Sequence, residues 1–197
     1  MSQGSLSRAL SQLEGFAHPK LELEQYITPG AIAAELLWTA YMHGDIEHRS
    51  VVDLGAGTGV LGIGALMLGA RVTFVESDPD AIRILEHNLA GYDGFSIVEG
   101  DVSSMIGSFD TAIMNPPFGA QDRHADRRFL VSAMRIASTV YSIHNANSTA
   151  FLTRFFWDHS WRFETIAERS FPLPAVFAHH SKPRAEQQVI LCRSTNV

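Results

Sequence analysis

The run Ser50-Val51-Val52-Asp53-Leu54-Gly55-Ala56-Gly57-Thr58-Gly59, with the apolar stretch Val60 to Leu68 behind it, decides how the rest of the chain is read. Its first half is a short β-rich segment. Its second half turns on glycines, which a backbone needs where it bends sharply and approaches a ligand with no Cβ in the way. The apolar stretch stops at Gly69 and reads as a buried helix whose free N–H groups point back at the loop.

Reading outward, the same alternation repeats. Val72 to Val75 is a second strand, and Asp78-Pro79 opens a helix carrying Ile82, Leu85 and Leu89. Phe95 to Val98 and Thr111 to Met114 are further strands, Phe129 to Ala137 is helical, and Thr139 to Ile143 is a fifth strand. Phe151, Leu152, Phe155 and Phe156 mark another helix, and Phe163 to Ala167 and Gln188 to Leu191 close the chain as strands around a proline-bearing loop. Strand alternating with helix predicts an α/β fold with a parallel sheet covered on both faces. The last two strands have no helix between them and are expected to pair antiparallel. Upstream, the stretch to Leu23 is polar and weakly periodic. Thr28-Pro29 reads as an N-cap with proline in the first turn, followed by Ile32, Leu36, Leu37 and Tyr41 at helical spacing and a stop at Gly44.

A chain of 197 residues with 46% hydrophobic content fits a single domain with a substantial core. Within it, residues 1–48 are expected to be a helical segment covering the ligand and 49–197 the catalytic core. The single cysteine, Cys192, excludes an intrachain disulfide and an all-cysteine zinc site. No signal-peptide pattern and no apolar run of bilayer length stands out, so a cytoplasmic location and no membrane partner are expected. The net charge of −6 is unevenly placed: up to Ala120 there are 5 Lys and Arg against 15 Asp and Glu, and from Gln121 onward 10 against 6. The basic second part is compatible with a nucleic-acid face or with ordinary surface scatter.

Three motifs fall at strand ends, where ligands sit in such sheets. Gly57, Gly59 and Gly62 match G-x-G-x-x-G, which raises a dinucleotide site, although Gly62 also fits close packing of helix on strand. Glu76, ending the second strand, could accept from the hydroxyls of an adenosine ribose, while Asp78 reads as an N-cap before Pro79. After the third strand, Gly100-Asp101-Val102 offers a carboxylate for an adenine amine and an apolar side chain for its ring; Asp101 could equally serve its own turn. After the fourth comes Asn115-Pro116-Pro117-Phe118. Two prolines end the strand and stiffen the backbone. The bland reading is a turn with a hydrophobic plug. The functional reading is that the Asn115 oxygen and the Pro116 carbonyl accept the two hydrogens of an exocyclic amine, while Phe118 stacks on the base. Such an amine is a poor nucleophile because its lone pair is delocalised, and two acceptors draw it toward a tetrahedral nitrogen.

With Leu23-Glu24-Gln25-Tyr26-Ile27-Thr28-Pro29, the Asp53 loop, Ile113 to Gly119, and the late Leu173-Pro174 followed by a stretch with His and Lys, the sequence resembles the methyltransferase-like protein 5 family of ribosomal-RNA adenine N6-methyltransferases and their archaeal relatives. The resemblance runs from about Leu21 to the end. It implies a class I methyltransferase fold: a Rossmann-like three-layer sandwich with a mostly parallel seven-stranded sheet and an antiparallel C-terminal hairpin. It implies S-adenosylmethionine as cofactor, contacted by Gln25, Tyr26, Thr28, Asp53, Gly55, Ala56, Gly57, Gly59, Glu76, Asp101, Val102 and Asn115, with Asn115, Pro116, Pro117 and Phe118 forming the target-base site. Ile27 departs from the family pattern, which has proline after tyrosine. The implied partner is RNA, small-subunit ribosomal RNA in particular. A small zinc-binding activator subunit accompanies eukaryotic members.

Two basic clusters could hold phosphates or be solvated loops: Arg123, His124, Arg127 and Arg128, and His179, His180, Lys182 and Arg184. The adjacent histidines lack a metal-ligand partner, so no metal is expected. Competing readings are methylation of a protein glutamine amide, whose motif usually ends in Tyr and whose enzymes carry an extra N-terminal domain; methylation of DNA adenine or RNA guanine; and a non-catalytic RNA-binding module, which an intact Asn115 disfavours. A nicotinamide oxidoreductase would leave Asn-Pro-Pro-Phe without a role.

Overall fold

Val51, Val52, Asp53 and Leu54 are all sealed from solvent, as a strand covered on both faces requires. They belong to β1 (Ser50–Leu54). The computed structural model describes residues 1–118, 125–173 and 185–197. Its other strands are β2 (Arg71–Glu76), β3 (Phe95–Glu99), β4 (Phe109–Met114), β5 (Ala137–Asn145), β6 (Trp161–Leu173) and β7 (Ala185–Asn196). Among the described residues they form one seven-stranded sheet in the order β3-β2-β1-β4-β5-β7-β6. β3, β2, β1, β4 and β5 run parallel, and β7 is antiparallel to both β5 and β6. The order reverses between β1 and β4, so a crevice opens at their carboxyl ends.

The helices are α1 (Gln3–Leu10), α2 (Gly30–Met42), α3 (Val60–Met67), α4 (Pro79–Asn88), α5 (Ala125–Ile136) and α6 (Thr149–Asp158). The period-two alternation of the central strands divides the core. Val51, Phe74, Ile113 and Tyr141 pack with apolar residues of α1, α2 and α3, while Val52, Leu54, Met114 and Val140 pack with α5 and α6. α3 lies close against β2: a Cβ at Gly62 would stand 2.1 Å from the Phe74 ring. The third glycine of the G-x-G-x-x-G match is therefore a packing glycine, the alternative that the sequence left open.

The polar, weakly periodic N-terminus holds a helix, and one expectation, at Thr28, needs correction. Ser2 and Ser5 form a reciprocal capping box at the start of α1, and Leu6 and Leu10 are buried in the core. A helix of two turns can hide in a weak pattern when only two residues face inward. Thr28 does not cap α2: Pro29 occupies the cap position and no side chain bonds the first amides there. The C-terminal strands are longer than their apolar runs, because β6 extends past a bulge at Thr165/Ala167 and its outer face is polar. Arg123, His124, His179, His180, Lys182 and Arg184 lie outside the described residues.

Candidate active site

At the carboxyl ends of β1, β2 and β4 lies a cavity of about 450 Å³, within the usual range for small-molecule sites. The strands deliver Asp53, Glu76 and Asn115 to it, the β3 end adds Asp101 and Val102, and the chain from Phe16 to Thr28 covers one side.

The glycine loop is held from beneath by two carboxylates. Asp53 Oδ2 accepts from the Gly62 amide at 2.7 Å, fixing the first turn of α3 to the end of β1. Burial, with the Glu76 charge adding to it and the Gly62 amide opposing it, pushes the Asp53 carboxyl up to about 7. Glu76 Oε2 accepts from the Gly57 amide at 2.7 Å, and its Oε1 accepts from the Ser77 and Asp78 amides at 2.8 and 2.9 Å. A carboxylate has about four acceptor positions, so three protein amides leave Glu76 little spare capacity. Gly55 and Ala56 both donate to the Val75 carbonyl. Gly57 has φ +55°, and a Cβ there would come 3.0 Å from the Phe16 ring. Both the turn and the close cover require glycine.

The covering segment is tied down at several points. Asn88 Nδ2 donates to the carbonyls of Glu14 and Thr58, and Asn88 Oδ1 accepts from the Glu14 amide. Lys20 Nζ donates to Asp78 at 2.6 Å and to Asp80 at 2.8 Å. Gln25 Nε2 also donates to Asp78, at 2.6 Å, while its Oε1 accepts from the Lys20 amide. Burial alone would raise the Asp78 carboxyl; Lys20, Gln25 and the Asp80 amide outweigh it and hold the group below the usual carboxylate range. Asp78 thus keeps its predicted capping role and adds an anchoring one.

Asp101 caps the short turn Val102–Ser104. Its Oδ1 accepts from the Ser103 amide at 2.8 Å and from the Ser103 hydroxyl. Those bonds, with Arg128 nearby, lower its pKa against a smaller effect of burial. Arg128 Nη1 lies 3.9 Å from Asp101 Oδ2, so this arginine lines the cavity. Arg127 stands 5.0 Å over the Phe151 ring. Arg135 clamps the same turn through the Ser103 and Met105 carbonyls.

Asn115 follows β4. Its Nδ2 donates to the Thr28 hydroxyl at 3.0 Å, and its Oδ1 is buried without a hydrogen-bond partner. Phe118 is half-buried; its ring lies 6.5 Å from that of Tyr26 with planes 14° apart, and meets the Phe171 edge at 5.6 Å. All the sequence-predicted cofactor and base-site residues except Gly59 line one cavity. Gly59 caps α3 beneath it. Phe16, Lys20, Arg135 and Phe129 (whose ring stands over Gly55) escaped the sequence reading. No local pattern distinguishes a lone aromatic or a lysine that reaches across the fold from its ordinary neighbours.

The model of the methyltransferase small domain family matches residues 32–139. Along 99% of its length the chain is 37% identical to the zebrafish (Danio rerio) protein named rRNA N(6)-adenosine-methyltransferase METTL5, covering 99% of it. It is 35% identical to the Drosophila melanogaster protein of the same name over 93% of the chain and 92% of the relative. Among solved structures, that of a candidate RNA methyltransferase from Pyrococcus horikoshii superimposes with a TM-score of 0.91 at 45% identity, over 100% of this chain and 98% of the other.

Proposed function

The chain belongs to the methyltransferase small domain family, and on that premise we propose that it methylates the exocyclic N6 amine of an adenine in ribosomal RNA, with S-adenosylmethionine as donor. The reading takes the substrate class from relatives that carry that activity in their names over nearly the full chain. When bound, S-adenosylmethionine supplies a methyl group on a sulfonium that leaves as a neutral thioether.

The observation that carries the proposal is the Asn115 amide. An acceptor oxygen buried without a partner costs stability, about 1–3 kcal/mol, and native structures rarely keep one without a use. Here it stands at the cavity, on a rigid Pro-Pro turn. An amine N–H is the donor it lacks. With the Pro116 carbonyl as second acceptor, Asn115 would draw both hydrogens of the amine out of the base plane and free the nitrogen lone pair. Phe118 supplies a ring face beside them. The work is mostly positioning, which accounts for roughly 7–11 kcal/mol in well-oriented reactions.

The rest of the cavity suits an adenosyl ligand. A backbone loop without Cβ atoms lets a ligand approach closely, Glu76 and Asp101 offer carboxylate acceptors, and Val102 and Phe129 offer apolar surface. Because backbone amides already hold much of Glu76, it would take one ribose hydroxyl more readily than two. Arg127 and Arg128 are proposed contacts to the RNA backbone, as are Arg123, Lys182 and Arg184. A small zinc-binding activator subunit is proposed as a further partner, and a cytoplasmic location follows from the proposed substrate. The test incubates purified protein with labelled S-adenosylmethionine and ribosomal RNA, with and without such a subunit. N6-methyladenosine by mass spectrometry is expected. Label found only in protein or DNA, or on a ring carbon or ribose, would overturn the proposal.

A further inference from the structure

A side-chain amide is nearly symmetric in shape and antisymmetric in chemistry. Turned by 180° about its last torsion, Asn115 would present two N–H donors where the proposed reaction needs an acceptor. Donor would then face donor, and the target amine would be pushed away from the turn. Something must hold the amide in place against such a turn, and the two prolines that follow Asn115 cannot, because they restrain only the backbone.

The structure offers one group that does so. The Thr28 hydroxyl oxygen accepts from Asn115 Nδ2 at 3.0 Å, and Oδ1 is the end without a partner. Thr28 is itself buried, 7% exposed. It stands two residues before α2, whose Ile32, Leu36 and Leu37 are locked in the core, so its hydroxyl is placed by a rigid element. Thr28 stands one residue before the cap position, which Pro29 occupies, so its hydroxyl is not engaged in capping α2.

We propose that Thr28 is a positioning residue whose hydroxyl holds the Asn115 amide in place, with Oδ1 toward the target amine. The inference rests on the proposed adenine N6-methylation but has a readout that does not require it. In cofactor-free protein labelled with ¹⁵N, the Asn115 side-chain amide signal is identified by its loss in Asn115→Ala. In wild type and Thr28→Ser its protons should exchange slowly with solvent; in Thr28→Val, which keeps the shape and removes the oxygen, exchange should speed up severalfold. An unchanged signal in Thr28→Val overturns the proposal whatever the enzyme does. Kinetics supply the second arm, at saturating cofactor and RNA, so that any contact Thr28 makes with the cofactor drops out. Thr28→Val should lower kcat by about twofold to tenfold, the worth of one ordinary hydrogen bond, with Thr28→Ser restoring the rate. In an Asn115→Ala background the same substitution should cost nothing, because no amide is left to orient. Equal losses in both backgrounds would assign Thr28 a role independent of Asn115 and overturn the proposal. If wild type makes no N6-methyladenosine, the functional reading fails by itself and the exchange measurement still stands.

Discussion

Replacing Asn115 with alanine should move activity and stability in opposite directions. The substitution removes the buried, unpartnered Oδ1 and the 3.0 Å bond to Thr28. The first removal relieves a desolvation cost of about 1–3 kcal/mol, and the second loses about 0.5–1.5 kcal/mol. The net lies between about 0.5 kcal/mol less and about 2.5 kcal/mol more stable. For a chain of 197 residues, at roughly 2–4 °C per kcal/mol, the melting temperature should lie between about 2 °C lower and about 10 °C higher. Turnover should fall by roughly 10²–10³, by analogy with deleting one transition-state acceptor or donor. The assays are calorimetric melting of the cofactor-free protein and methyl incorporation into RNA at saturating cofactor. A melting temperature several degrees below wild type would show that Oδ1 is satisfied in the folded protein, and full activity would show that the amine needs no acceptor there. Either result refutes the reasoning.

Glu76→Ala removes the acceptor of three backbone amides as well as any ligand bond, so S-adenosylmethionine affinity should fall by about 2–3 kcal/mol in titration calorimetry. Arg127→Glu with Arg128→Glu should weaken RNA binding and flatten its dependence on salt; unchanged RNA affinity would remove both from the interface. Burial pushes the His144 imidazole down to about 4, below its unfolded value of about 6.5. Its contribution is whole above pH 6.5 and is lost as pH falls toward 4, by about 3 kcal/mol in total. Asp53, raised to about 7 by burial, does the reverse: the folded state holds its proton longer than the unfolded one, so its stabilisation is whole below about pH 4 and is lost as pH rises to 7. The two slopes oppose each other between pH 4 and 6.5. Denaturation midpoints in His144→Gln should therefore fall more steeply with rising pH over that interval than those of wild type, and identical slopes would refute the assignment.

The alternation of strand and helix from Ser50 to Ile143 was legible because the central parallel strands β1, β2, β4 and β5 are covered on both faces. A covered strand must be a short, continuous apolar run, and such runs stand out between glycines and prolines. The strand-end residues followed from the same logic, since topology places them together even when 62 positions separate Asp53 from Asn115. The bounds of α1 within the helical cover expected over residues 1–48 were not legible, because two inward leucines in eight residues make no period. What holds the chain from Phe16 to Thr28 was not legible either. Its residues form no long element, and what fixes them is a set of single bonds to distant partners: Lys20 and Gln25 to Asp78, Glu14 to Asn88, and Thr28 to Asn115.

That difference explains why the sequence misread Thr28. Local rules weigh a residue against its neighbours in the chain, and threonine before proline at a helix start has a strong local reading as a cap. The side chain has one oxygen, and the fold presents a competing partner that is invisible in sequence. In the folded protein the α2 amides at that end go without a side-chain acceptor while the Asn115 nitrogen obtains one. Pro29 takes the cap position, which leaves Thr28 one residue too early to cap, so the geometry of the fold and not local propensity assigns its hydroxyl to Asn115. The fold also separates the two readings of Asp101, whose partly exposed carboxylate satisfies its own turn through Ser103 and keeps Oδ2 toward Arg128. A strand-end polar residue is free to meet a ligand only to the extent that its own backbone leaves it unsatisfied. By that measure Asn115 Oδ1 is the most available acceptor, Asp101 is intermediate, and Glu76, already holding three amides, acts on a ligand mainly through the loop it holds in place.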